Sequence, residues 1–294
     1  MPMCVELCAG CGCMSLALKE AGFDHLLMIE NDSRCVDTLN TNGFKNIHFG
    51  SVENVDFTQY KGVELVCGGV PCVAFSIAGK NRGEADERNL WPHAIRAVQQ
   101  SECKAFLFEN SAHMNSKRHR PYLDKIIIEF ESLGFTVYKF IIDCADYGVP
   151  MHRKRVLLIG LLHPSCPYIP PDTSPHITVH QALCSLGPPN GLNSHTLRCA
   201  TPRTYPGHSG STLDAPSKSL VAGSGHGVGG GNNCLQQDDG SLRYYSPREA
   251  ATLQTLPTTF NLHPTFSVAM RQLGNAFPKE AAKRFALQLL PHLH

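Results

Sequence analysis

From Met3 to about Gly160, short apolar runs alternate with stretches of helical spacing, the rhythm of βαβ units built on a mostly parallel sheet. The apolar runs predict strands at Cys4 to Cys8, Leu26 to Glu30, Ile47 to Phe49, Glu64 to Cys67, Ala105 to Phe108, Thr136 to Asp143 and Val156 to Leu161. Helices are predicted between them from Ser15 to Ala21, Ser33 to Asn40, Trp91 to Gln100 and Tyr122 to Leu133. In the last of these, Ile126, Ile127, Phe130 and Leu133 form one apolar stripe. The expected fold class is α/β.

The pattern changes between His163 and about Leu242. Prolines, serines, histidines and the tract from Gly223 to Gly231 replace periodic segments, which fits either a loop-rich linker or a small second lobe whose loops touch a ligand. Helical patterning returns after Ser246, an N-cap followed by Pro247 at the first helical position and Glu249 at the third, a capping box. A final helix is expected from Pro278 to Leu290. The expected divisions are 1–162, 163–242 and a segment 243–294 that returns to the first domain.

Composition narrows the class. With 294 residues, 42% hydrophobic, 17% charged, and 25 glycines and 20 prolines dispersed along the chain, collagen-like, coiled-coil and wholly disordered readings fail. Lys and Arg total 26 against 25 acids, a net +1, so a nucleic-acid partner would have to be met by local basic patches. Thirteen cysteines, an odd number scattered without a paired framework, favour a reducing compartment. The amino terminus carries neither a basic region nor a long apolar stretch, and the apolar run Val156 to Leu162 is far short of a membrane span. An intracellular protein without a membrane partner is expected.

Candidate chemistry sits at the ends of the predicted strands. The first runs into Ala9-Gly10-Cys11-Gly12 and then a helix, a turn where glycines let a ligand approach the backbone and a helix start offers N–H donors. A tight structural turn reads the same way, and Ser15 stands where a dinucleotide fingerprint wants its third glycine. Glu30 closes the next strand at the position, about twenty residues on, where an acid accepts the hydroxyls of a ribose. Cys8, Cys11 and Cys13 lack a second ligand pair at zinc spacing, so no metal is expected.

Gly68-Gly69-Val70-Pro71-Cys72 follows the fourth strand, at the carboxyl edge where open α/β sheets bind ligands. Cys72 is either a small buried hydrophobe or a nucleophile. The second role needs positive charge nearby to lower its pKa, for which Lys80, Arg82, Arg153 and Arg155 are candidates. Phe75 to Gly83 reads as a polar loop able to close over a substrate. Glu109 ends another apolar strand as a capping, solvated or catalytic acid. Strand alternation sends Arg153 and Arg155 to the same face, toward an anion or a polar base edge or along a surface basic stripe.

These pieces, with Glu109-Asn110, Asp146-Tyr-Gly-Val-Pro150, Arg248-Glu-Ala-Ala-Thr-Leu-Gln254 and Gln272-Leu-Gly274-Asn275-Ala-Phe-Pro278, occur in an order and at gaps that resemble the cytosine carbon-5 DNA methyltransferase family over nearly the whole chain. The resemblance implies an S-adenosylmethionine-dependent, Rossmann-like sheet with a small loop-rich target-recognition lobe at about 163–242. It implies Cys72 as the nucleophile that adds to carbon 6 of cytosine, Glu109 on ring nitrogen 3, and Arg155, with Arg153 beside it, stabilising charge on the exocyclic oxygen. S-adenosylmethionine, leaving as S-adenosylhomocysteine, would lie over Leu7, Cys8, Ala9, Gly10 and Gly12 with its ribose on Glu30. Asn31, Ser51, Val52, Pro71, Asn275 and Ala276 would complete that pocket. The partner would be double-stranded DNA bound by a monomer, with the cytosine flipped out of the stack. Ser76, Lys80, Arg82 and Arg88 would close over the DNA, and Lys117, Arg118 and Arg120 would contact phosphates.

Four positions depart from the family pattern. Val70, Val73 and Met151 bear on loop closure and base insertion, and Ser51 replaces the usual aspartate toward the adenine, which implies weaker cofactor affinity. In the expected lobe and its edges, Arg198, Arg203, Lys218 and Arg243 balance Asp172, Asp214, Asp238 and Asp239, which points to a short recognition sequence. A tRNA-methylating branch of the family, with Thr after its Pro-Cys-x-x-Phe, is at odds with Ser76 after Phe75. A non-catalytic DNA-binding relative and a nicotinamide-dependent oxidoreductase are the other rival readings.

Overall fold

The computed structural model describes residues 1–71, 89–163, 169–172, 174–198, 202, 209–223 and 230–293. The first half unrolls as β1 (Met3–Leu7), α1 (Cys13–Glu20), β2 (Asp24–Glu30), α2 (Ser33–Thr41), β3 (Ile47–Phe49) and β4 (Leu65–Gly69). It continues with α3 (Trp91–Ser101), β5 (Ala105–Ser111), α4 (Arg120–Ser132), β6 (Thr136–Asp143) and β7 (Lys154–Leu161). After these come α5 (Val179–Leu183), the hairpin strands β8 (Cys234–Gln236) and β9 (Leu242–Tyr244), then α6 (Pro247–Leu253), α7 (Phe266–Asn275) and α8 (Lys279–Leu289). Among the described residues no helix is long and apolar enough to cross a membrane.

One seven-stranded sheet orders these strands β3-β2-β1-β4-β5-β7-β6. All pairings are parallel except those of β7, which runs antiparallel to both β5 and β6. The chain moves outward from β1 to β3 and then restarts on the other side of β1 at β4. That reversal opens a crevice at the carboxyl ends of β1 and β4, where open α/β sheets take their ligands. At this point Gly68 has φ +152, and a Cβ there would lie 2.1 Å from the Leu7 carbonyl oxygen. Only glycine lets the two strand ends meet.

Alternation along the strands divides the core in two. Cys4, Cys67, Leu107 and Leu157 face Ala17, Leu18, Leu273 and Phe285 of α1, α7 and α8. Val5, Val66, Phe106 and Phe108 face Trp91, Ala97, Leu123 and Phe130 of α3 and α4, where the Phe106 and Phe130 rings lie 4.1 Å apart. Burial on both faces accounts for the near-continuous apolar runs of the central strands.

Local signals explain the helix starts. Asp32 caps α2 by accepting from the Arg34 N–H, and Ser246 and Glu249 complete the expected capping box on α6, with Pro247 in its first turn. β3 and β6 keep their expected bounds, whereas β5 runs on to Ser111 and β7 starts at Lys154. Glu109 therefore lies inside a strand. Three elements, α5, α7 and the β8–β9 hairpin, go beyond the sequence pattern. The hairpin strands are three residues each, too short to show a period. α7 holds Gly274, a poor helix former, at the place where a Cβ would stand 2.4 Å from the Ala222 nitrogen. Tertiary contact there outweighs propensity.

Candidate active site

A cavity of about 360 Å³ opens at the carboxyl ends of β1, β2, β4 and β5, and α7 closes one side. Its volume falls in the range of small-molecule sites. At one end lies the turn after β1. Glu30 is 7% exposed. One of its carboxylate oxygens accepts from the Gly10 N–H (2.7 Å) and the other from the N–H groups of Asn31 (2.9 Å) and Asp32 (2.8 Å). Three backbone donors thus aim the carboxylate at the cavity. Gly10 has φ +59, and a Cβ there would meet nothing within 4 Å, so this side of the turn is open to a ligand.

At the other end, Glu109 of β5 and Arg155 of β7 form an ion pair, and both line the cavity. Glu109 is 7% exposed. Asn110 donates to the Val70 carbonyl (2.9 Å) and accepts from the Ser111 N–H (2.8 Å). It thereby fixes the backbone that enters Pro71, which also lines the cavity.

Three thiols that line the cavity, Cys8, Cys11 and Cys35, are poor nucleophiles. Burial, then the charges of Glu30 and Glu6, push Cys8 up to about 12. Hydrogen bonding to Cys13 and burial raise Cys11, and burial with nearby charge raises Cys35. Thiols so placed stay protonated at neutral pH. Among the described residues no group of three His, Cys, Asp or Glu is placed to hold a metal.

A family model for C-5 cytosine-specific DNA methylase matches residues 3–186 and 201–290. The chain belongs to the C-5 cytosine-specific DNA methylases. It is 30% identical over 98% of its length to the Type II methyltransferase M.NgoMIV of Neisseria gonorrhoeae, and the match covers 97% of that protein. Its fold is similar to that of a Spodoptera frugiperda DNMT2 mutant, with a TM-score of 0.76 at 17% identity, covering 100% of this chain and 99% of that one. A second similar structure, described as a DNA modification methyltransferase encoded within an E. coli prophage, has a TM-score of 0.75 at 20% identity, covering 100% and 99%.

In this methylase the structure brings Cys8, Ala9, Gly10, Glu30, Asn31, Pro71, Glu109, Arg155, Asn275 and Ala276 to one cavity. Four cofactor candidates do not line it. Leu7 is 1% exposed in the core. Gly12 is the left-handed N-cap of α1, and a Cβ there would stand 2.8 Å from Leu39. Ser51 caps a short 3-10 turn. Val52 is buried, with its carbonyl bound by Arg96 at 2.8 Å.

Arg153 is a correction. It lies on the same side of the sheet as Arg155, as alternation predicts, but it turns to the end of α7 and does not reach the cavity. Its guanidinium donates to the Leu220 carbonyl (2.7 Å), Ser219 Oγ (3.0 Å) and the Gly274 carbonyl (2.8 Å). It is 2% exposed and outside the cavity lining. Lys117 and Arg118 are exposed on the turn between β5 and α4, and Arg120 is exposed at the first residue of α4, where it pairs with Asp124 one turn on at 3.1 Å. Cys72, Ser76, Lys80, Arg82 and Arg88 lie outside the described residues.

Sequence reasoning missed Glu6, Asp32, Arg34, Arg271 and Gln272, which also line the cavity. Gln272 was legible as part of its motif, yet its work is tertiary. Its amide donates to the Arg34 carbonyl (2.9 Å) and accepts from Thr38 (3.2 Å), which ties α7 to α2.

Proposed function

We propose that the protein transfers a methyl group from S-adenosylmethionine to carbon 5 of a cytosine flipped out of double-stranded DNA, acting as a monomer through a covalent adduct to Cys72. One observation carries this reading. A single cavity joins the Glu30 carboxylate to the Glu109–Arg155 pair, with Pro71, the residue before Cys72, on its wall.

The residues fit the cofactor. The Glu30 carboxylate, aimed by its three backbone donors, suits a ribose diol, and the open side of Gly10 leaves room for a ligand beside the backbone. Asn275 and Ala276, at and just past the end of α7, would close that end. When bound, the cofactor supplies an electrophilic methyl group.

The chain's own residues prepare the base. Carbon 5 of cytosine is a weak nucleophile until the Cys72 thiolate adds to carbon 6 and makes the ring enamine-like. Negative charge then builds on nitrogen 3 and the exocyclic oxygen, which are attached to the same ring carbon. Glu109 and Arg155 stand side by side to meet them, Glu109 holding a proton at nitrogen 3 and Arg155 donating to the oxygen. A base within a duplex cannot reach such a cavity, so the cytosine must leave the stack. Lys117, Arg118 and Arg120, exposed after β5, supply phosphate contacts.

The test is methylation of unmodified plasmid and of total tRNA with labelled donor, followed by base-resolution mapping. Label on cytosines of duplex DNA is expected, together with a stable adduct to 5-fluorocytosine DNA that disappears in Cys72→Ala. Label on tRNA alone, or no adduct, overturns the reading.

A further inference from the structure

Arg153 stands two residues before Arg155 but serves a different part of the molecule. Its backbone is anchored at the turn from β6 to β7, where its N–H donates to Asp143 (2.9 Å) and its carbonyl accepts from the Cys144 N–H (3.1 Å). From there its buried guanidinium reaches two distant segments, accepted by the carbonyls of Leu220 and Gly274 and by Ser219 Oγ. Gly274 directly precedes Asn275 and Ala276, which line the cavity.

The 217–222 segment is strapped down along the same line. Ser217 donates to the Pro150 carbonyl and accepts from the His152 N–H, each at 2.9 Å. The Asn233 side chain accepts from the Val221 N–H (2.9 Å) and donates to the Val221 carbonyl (2.8 Å). The end of α7 presses on this segment, because a Cβ on Gly274 would lie 2.4 Å from both Val221 C and Ala222 N. One junction therefore joins the stretch read as the recognition lobe, the helix end that carries Asn275, and the strand that carries Arg155.

We propose that Arg153 is a positioning residue that sets the spacing between the cofactor-holding and base-holding ends of the cavity by clamping segment 217–222 and the end of α7 onto the start of β7. The inference rests on the reading of the cavity as a methyl-transfer site. A planar guanidinium can hold two carbonyls at fixed angles, whereas an ammonium is a point donor. Displacement of the 217–222 segment moves Asn275 and Arg155 relative to each other.

The test uses the full chain with Arg153→Lys and, separately, Gly274→Ala, which keeps the guanidinium but pushes the same segment away. Affinity for S-adenosylhomocysteine without DNA is read by calorimetry, KM and kcat by methyl transfer, and folding by thermal melting. Both variants are expected to melt cooperatively and to bind S-adenosylhomocysteine roughly ten- to a hundredfold more weakly, as displacement of the end of α7 loosens Asn275 and Ala276 on the cavity wall. KM for DNA rises, and kcat falls together with these affinities as the two ends of the cavity lose their spacing. A collapse of kcat with unchanged affinities makes Arg153 a group acting at the base and overturns the proposal, as do unchanged values throughout. If Arg153→Lys does not fold, Gly274→Ala decides, and failure of both to fold assigns the junction to stability alone and also overturns it. Wild type that binds S-adenosylhomocysteine but methylates no DNA sinks the functional reading, while the affinity comparison still decides the role of Arg153.

Discussion

Glu109 and Arg155 are diagonal neighbours on one face of an antiparallel strand pair. Glu109 registers with Leu157, and Arg155 registers with Ser111 two positions further along β5. Long side chains bridge such a diagonal, and here they close an ion pair at the wall of the cavity. β7 is the one reversed strand of the sheet, and its reversal brings the start of the strand, rather than its end, to the carboxyl edge of β5.

Breaking the pair from either side should have different consequences. Glu109→Gln keeps shape and loses the acid, so methyl transfer should fall by roughly 10²- to 10⁴-fold, the usual share of a positioned acid or base, in a single-turnover assay. Arg155→Met leaves the Glu109 carboxylate, with its side chain 9% exposed, without its cation. Urea unfolding should show a loss of about 3–5 kcal/mol. Adding Glu109→Gln to Arg155→Met should recover part of that loss, and strict additivity would argue against coupling.

Glu30→Gln turns an amide toward three backbone N–H groups that now find carboxylate oxygens. The ribose acceptor is weakened as well. Calorimetry should show S-adenosylhomocysteine bound at least about tenfold more weakly, consistent with about 1.5–3 kcal/mol for hydrogen bonds to a charged group. Unaltered affinity would remove Glu30 from the cofactor site.

His25 predicts a pH dependence of stability unrelated to catalysis. Burial disfavours its imidazolium, but hydrogen bonds to Cys4 and Glu6 and the Glu6 charge outweigh it and push His25 up to about 10. The ring nitrogen lies 2.8 Å from the Glu6 carboxylate. A raised folded pKa gives stabilisation that is complete below the unfolded value of about 6.5 and is lost as pH climbs through about 10. Denaturant unfolding of wild type should weaken across that window, whereas His25→Gln should show a flatter profile. Equal slopes would dismiss the ion pair as the cause.

Gly160 of β7 faces Phe106, and a Cβ there would lie 2.0 Å from the ring. The ring is packed against Phe108, Phe130 and Phe135 and has nowhere to go. Gly160→Ala should cost about 1–3 kcal/mol as overpacking, read as a lower urea midpoint with unchanged slope. A neutral result would mean that the aromatic cluster yields.

The cavity was legible where its wall sits on strand ends. The glycine turn at Gly10, the acid Glu30 at the next strand end and Pro71 after the fourth strand announce themselves in one dimension, because the carboxyl edge of a parallel sheet gathers strand ends regardless of what lies between them. Arg153 and Arg155 look alike in the sequence because alternation puts both on one side of the sheet, and only the fold gives one the Leu220 and Gly274 carbonyls and the other Glu109. Gln272 and Asn110 act by tying one segment to another, and such partners have no signature in a local window.

Apolar periodicity and capping chemistry, by themselves, determined the alternating α/β order and most element positions, since burial and hydrogen bonding constrain each segment locally. Tertiary structure alone decided that β7 runs backward, that Gly274 belongs inside a helix, and that Arg153 holds carbonyls while Arg155 meets Glu109. Those outcomes depend on contacts between residues far apart along the chain, and only the folded packing sets which of them are made.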